Sequence, residues 1–175
     1  MVKNKKRFAL SVISVVALIV IDQITKNLAV TNLKGTDGVD IIKGVFKLFY
    51  LENIGAAFGT FKGMQTVLII FTTLLTIAIV YIWIILPEGK RYNLLRVLAV
   101  FIVAGAIGNH IDRITHSYVI DFLYFELIDF PIFNVADCYI TCGEIVLFIA
   151  LLFYYKEEDY NLIFPRKDKK IKKDK

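Results

Sequence analysis

The sequence predicts a mainly α integral membrane protein in which four transmembrane helices form one compact domain, and three observations predict it. Apolar residues fill 57% of the 175 positions and the mean hydropathy is +0.63, too greasy for a soluble domain of this length. Four apolar runs of membrane length recur, separated by charged and turn-forming stretches. The basic residues gather at the ends: Lys3, Lys5, Lys6 and Arg7 at the start, and Arg166, Lys167, Lys169, Lys170, Lys172, Lys173 and Lys175 at the finish. A net charge of +5 would suit nucleic acid if it were spread over a face. Flanking apolar segments, it reads instead as topology, with both termini held in the cytoplasm.

The first helix takes in the apolar run Phe8 to Ile21 and continues through DQITKN to about Val30. Its basic start imitates a signal peptide, but no small-residue cleavage site follows and more membrane segments come later, so it is read as an uncleaved span. From Phe8 to Val30 it would cover roughly 34 Å, enough for a bilayer core. Asp22 and Lys26 lie four apart, share a face and can pair; a structural ion pair and a direct role are both open.

Residues 31 to 64 are mixed. Gly35, Asp37 and Gly38 mark a turn, and IIKGVFKLFYLE at 41 to 52 has the β-branched and aromatic content of one or two short strands. NIGAAFG at 53 to 59 follows, with small residues that allow close backbone approach. An isolated hairpin is marginal in water, so this piece is expected to lean on the membrane surface or the helices.

The second helix runs from Gln65 to about Leu86, stopped by Pro87 and Gly89. The third runs from about Leu94 to Ile114, and a loop over 115 to 133 without Lys or Arg leads to a fourth from Asn134 to about Tyr155. Lys90 and Arg91 in the 87 to 93 loop again favour cytoplasmic termini. The domain is thus read as 1 to 155, with 156 to 175 a disordered basic tail. Cys138 and Cys142, four apart on the last helix with no second pair, are expected to be buried thiols rather than metal ligands or a disulfide.

With this topology the polar residues converge. Asp22 and Lys26 come late on an outward helix, and Asn109, Asp112 and Arg113 end another, sharing a face by their spacing. Asn134 and Asp137 start the inward fourth helix, and Asp121 lies in the connecting loop. Each has a bland explanation. Asn134 is a good N-cap with Asp137 as its capping-box partner, and Asp112 with Arg113 would make an ion-paired helix end. Together, however, four carboxylates outnumber the two nearby cations. Burial and like charge should make at least one keep a proton, and a proton-sharing acid pair is the device of aspartic proteases. Spacing leaves Asp22 and Asp112 as contenders beside Asp121 and Asp137. His110 and His116 are isolated, with His110 one residue off the polar face. No serine-hydrolase or zinc-peptidase motif competes. The rival readings are a small proton-coupled membrane carrier, since intramembrane charges also mark ion pathways, and a non-catalytic membrane subunit.

The motifs together resemble the lipoprotein signal peptidase (signal peptidase II) family. DQITK at 22 to 26, NIGAAFG at 53 to 59, AGAIGNHIDR at 104 to 113, VIDF at 119 to 122 and FNVAD at 133 to 137 match its five blocks in order, over about residues 8 to 155. The resemblance implies an aspartic endopeptidase of the bacterial inner membrane, a globomycin target; a monomer is the expected state. It would cut the signal peptide from prolipoproteins just before a diacylglyceryl-modified cysteine, without metal or other cofactor. It assigns catalysis to Asp121 and Asp137, and a substrate-binding or supporting part to Asp22, Lys26, Asn53, Gly55, Asn109, Asp112, Arg113 and Asn134. Residues 37 to 61 would form a small extracytoplasmic β-cradle. Ala104, His110 and Cys138 depart from the family's commonest pattern.

Overall fold

The computed structural model describes residues 5–55 and 65–164. Four helices are long and apolar enough to cross a membrane: α1 (Lys5–Leu33), α2 (Gln65–Ile85), α3 (Asn93–His116) and α4 (Val135–Phe153). A short α5 (Glu157–Ile163) follows, and three strands, β1 (Val39–Ile42), β2 (Phe46–Asn53) and β3 (Val119–Tyr124), form one antiparallel sheet in that order. Burial is inverted relative to a soluble bundle: Leu10, Leu74 and Phe148 stand outward on α1, α2 and α4, as side chains facing lipid should.

Helix α3 is the hub, packed against α1, α2 and α4. Small residues make this possible. Ala104 is fully buried, and a Cβ added at Gly105 would lie 2.5 Å from the Ala136 carbonyl oxygen of α4. At Gly108 the same atom would lie 2.5 Å from Oδ2 of Asp22 on α1. Three helices therefore meet at one level along this face of α3.

The expected loop over 115 to 133 is in part a strand. Ser117, in a left-handed conformation (φ 66°), ends α3, and VIDFLY then pairs with β2, with Leu51 opposite Asp121 and Asn53 opposite Val119. The hairpin thus gains a third strand, and the alternation of β3 explains its docking: Ile120 and Phe122 pack on Ala29 and Leu33 of α1. Loop composition hid this strand, because it is only six residues long and one of them is aspartate. NIGAAFG is described only through Gly55; its remainder, and the cradle from 56 to 64, lie outside the described residues.

The tail expected to be disordered from 156 is ordered as far as Phe164. Helix α5 folds back on the start of α3, with Asp159 accepting from Arg91 Nε (2.8 Å), Arg91 Nη2 (2.7 Å) and Tyr92 Oη (2.9 Å). The cysteines are also corrected: Cys138 is half-buried and Cys142 exposed, because their α4 face turns away from the α3 packing seam.

Candidate active site

Two backbone devices place the acids. Asn134 caps α4: its side-chain oxygen accepts from Asp137 N (3.0 Å), and Asp137 Oδ2 accepts in return from Asn134 N (3.1 Å). The capping box that reads as mere helix chemistry also aims Asp137. Asp121 is positioned by the sheet. Asn53 sits diagonally across the strand pair, and its Nδ2 donates to Asp121 Oδ2 at 2.8 Å, while its own oxygen accepts from Gly55 N at 2.9 Å.

Amides then join the acids. Asn134 Nδ2 donates to Asp121 Oδ1 at 2.6 Å and lies within reach of Asn109 Oδ1 (3.1 Å) and the Ile120 carbonyl (3.2 Å). Asn109 Nδ2 donates to Asp137 Oδ1 at 2.7 Å. Asp121 and Asp137 thus share the Asn109–Asn134 bridge, and neither forms an ion pair among the described residues.

Asp22 and Asp112 have a different environment. Lys26 Nζ lies 2.9 Å from Asp22 Oδ2 and 2.9 Å from Asp112 Oδ2, with all three side chains essentially buried. Asp112 therefore pairs with Lys26 and not with Arg113, the partner its spacing allowed. Its Oδ2 also accepts from Ile120 N (3.0 Å), the residue beside Asp121, and Asp22 Oδ1 accepts from Ala136 N (3.0 Å), the residue beside Asp137. Lys26 also donates to Asn109 Oδ1 (2.9 Å). The contenders of the sequence are thus stitches between α1, α3, β3 and α4 that hold the backbone under the other pair.

Asp121 and Asp137 line one cavity of about 660 Å³, together with Asn53, Gly55, Asn109 and Arg113. Arg113 Nε is buried without a hydrogen-bond partner among the described residues. A second cavity of about 530 Å³, walled by Leu68 and Phe71 of α2 and Ile140 of α4, reaches Asn109, Arg113 and Asp137 from the side of the bundle. Burial pushes the Asp121 carboxyl up to about 7, aided by the nearby charge of Asp137 and opposed by the amides of Asn53 and Asn134. At the rim, Glu52 is bonded by Lys34 (2.8 Å) and Tyr50 (3.0 Å), and these bonds hold its carboxyl below the ordinary range.

His110 lines the second cavity but bonds to α2 rather than to the acids, and His116 lies away from it. His110 spans to α2, with Nε2 2.9 Å from Thr73 Oγ1, and His116 stacks on Tyr118. Sequence reasoning missed Gln23, whose Nε2 lies within 3.2 Å of Asp22 Oδ2, the Gly108 carbonyl and Asp112 Oδ1; its place between two recognised polar residues was the available signal. It also missed the wall Phe130 to Phe133, foreshadowed only by aromatic density in a stretch without cations.

The family model for "Signal peptidase (SPase) II" matches residues 14–153. The chain is 39% identical over 146 residues to a lipoprotein signal peptidase of Clostridium novyi, covering 82% of this chain and 97% of that one. Against the lipoprotein signal peptidase of Streptococcus pyogenes serotype M1 it is 39% identical over 157 residues, covering 89% and 98%. Among solved structures, a bacterial membrane enzyme determined by the in meso method at 2.3 Å aligns with a TM-score of 0.74 and 36% identity, over 82% of this chain and 88% of that one. A second, at 1.9 Å, aligns with a TM-score of 0.72 and 34% identity over 84% and 95%.

Proposed function

From the premise that this chain belongs to the signal peptidase II family, we propose that it is an aspartic endopeptidase whose catalytic pair is Asp121 and Asp137. Its substrates are prolipoproteins, cut before the diacylglyceryl-modified cysteine. One observation carries the assignment: of four clustered carboxylates, Asp22 and Asp112 are both ion-paired to Lys26, whereas Asp121 and Asp137 face a cavity and are held by amides alone. An acid locked against a buried ammonium cannot cycle its proton. An acid held by neutral amides can, and a pKa near neutrality suits that work.

In this mechanism the pair shares one proton and holds a water. The ionised carboxylate takes a proton from the water as its oxygen attacks the scissile carbonyl, and the protonated partner donates to the carbonyl oxygen. The tetrahedral intermediate collapses when the departing amine is protonated, so no covalent enzyme intermediate forms. The two acids titrate as a unit. The shared Asn109–Asn134 bridge holds their geometry, and Arg113 supplies positive charge beside the developing oxyanion. The side cavity beneath α2 offers the substrate's lipid tails an entry from the bilayer, and the sheet supports the peptide. On the charge pattern of the loops, the termini-bearing face is cytoplasmic and the site lies near the opposite face of the bacterial inner membrane.

The test is gel-shift cleavage of a diacylglyceryl-modified prolipoprotein by the purified enzyme in detergent. Asp121→Asn and Asp137→Asn are each expected to fold and to lose roughly 10²–10⁴-fold in rate. Near-normal activity in either variant removes that residue from the pair. Activity is expected to survive EDTA; its abolition would refute a metal-free reaction.

A further inference from the structure

Away from the site, at the termini-bearing end of the bundle, a cleft of about 530 Å³ opens between α1 and α3. Its mouth carries Arg7, Asn93 and Arg96, and its floor is apolar, with Leu18, Val97 and Phe101. Arg7 is paired, its Nη1 lying 2.6 Å from Glu88 Oε2. Arg96 has no carboxylate partner among the described residues, although it is only 6% exposed. One terminal nitrogen, Nη2, donates to the carbonyls of Leu86 (3.1 Å) and Pro87 (2.7 Å) where α2 ends. That explains half of the guanidinium, since a cation at a helix C-terminus is favourable. The other, Nη1, is buried with no hydrogen-bond partner among the described residues.

A buried cation with a spare donor and no ion-pair partner is costly, and here it lines the mouth of an apolar groove running into the bilayer. The matching ligand has an anionic oxygen at one end and hydrocarbon at the other. We propose that this cleft binds an anionic phospholipid, its phosphate on Arg96 Nη1 and beside Arg7, and an acyl chain along the α1–α3 groove. The lipid comes from the leaflet next to the termini. Bound there, it ties α1 and the end of α2 to α3, the hub that carries Asn109 and Arg113 at its far end.

The test follows thermal unfolding of the full chain in neutral detergent with phosphatidylglycerol, phosphatidylcholine or inorganic phosphate. Phosphatidylglycerol is expected to raise Tm saturably, by about 3–6 °C at ten times the half-saturating concentration. The other two probes are expected to do little. Arg96→Gln retains a donor for the α2 carbonyls but no charge, and Ser14→Phe fills the groove without touching Arg96; both are expected to lose the phosphatidylglycerol rise. If Arg96→Gln fails to fold, Ser14→Phe decides alone. The proposal is overturned if either folded variant keeps the full rise, if phosphatidylcholine matches phosphatidylglycerol, or if inorganic phosphate alone reproduces the shift, which would mark a free-anion site.

Discussion

Lys26 divides four neighbouring carboxylates into two chemical kinds. With Asp22 and Asp112 each 2.9 Å from its ammonium, removing the cation would leave two buried charges uncompensated. Lys26→Met is therefore expected to destabilise by about 3–5 kcal/mol, measured by denaturant unfolding in detergent; a loss of activity without loss of stability would instead give Lys26 a direct catalytic part. Asp121 belongs to the other kind. With its carboxyl raised to about 7, the folded state holds a proton that the unfolded chain gives up at the ordinary carboxyl value of 3.8. Its stabilising contribution is fully present below that unfolded value and is lost as pH rises through about 7. Stability of the native chain should fall between about pH 4 and 7, and Asp121→Asn should flatten that slope. A slope unchanged in the variant would assign it to another group.

Each element places chemistry through ordinary secondary-structure rules. Helix α4 aims Asp137 with its own N-cap, and β3 sends Ile120 and Phe122 to α1 while Asp121 and Asn53 meet on the sheet. The helices can stand close enough only because α3 has no side chain at the crossing. Gly108→Ala would put a Cβ 2.5 Å from the Asp22 carboxylate and press on a group already held by Lys26 and Ala136. An overpacking cost of about 1–3 kcal/mol is expected, with a fall in cleavage rate because Ala136 neighbours Asp137. Unaltered stability would mean that the α1–α3 crossing yields freely.

For the molecule as a whole, the two ends of the bundle have separate duties. The acids lie at one end, and α5 clasps the other through Arg91, Tyr92 and Asp159. The Arg91 bonds hold the Asp159 carboxyl well below its ordinary range. The clasp's contribution is thus present above the unfolded carboxyl's pKa and fades as pH falls through the lower folded value. Asp159→Asn should lower the thermal midpoint at neutral pH while leaving the cleavage rate of folded enzyme unchanged. A matching loss of rate would show that the two ends are coupled through α3.

The four membrane-length helices, the Asp22–Lys26 pair, the Asn134 cap and most of the polar residues near the site were legible in the chain. They rest on local periodicity, on composition and on i, i+3 and i, i+4 spacing. The strand at Val119–Tyr124 was not, because its pairing with β2 joins residues some seventy positions apart, and local pattern carries no such contact. Nor was α5, whose few turns depend on a long-range grip by Arg91. The choice among the four aspartates lay outside local pattern for the same reason. Helix topology and residue positions determined that carboxylates outnumber cations near the site, and the matching motifs favoured Asp121 and Asp137. Only the tertiary structure decided which acids Lys26 pairs with, because a buried charge is governed by the groups within a few ångströms in space and not by its neighbours along the chain.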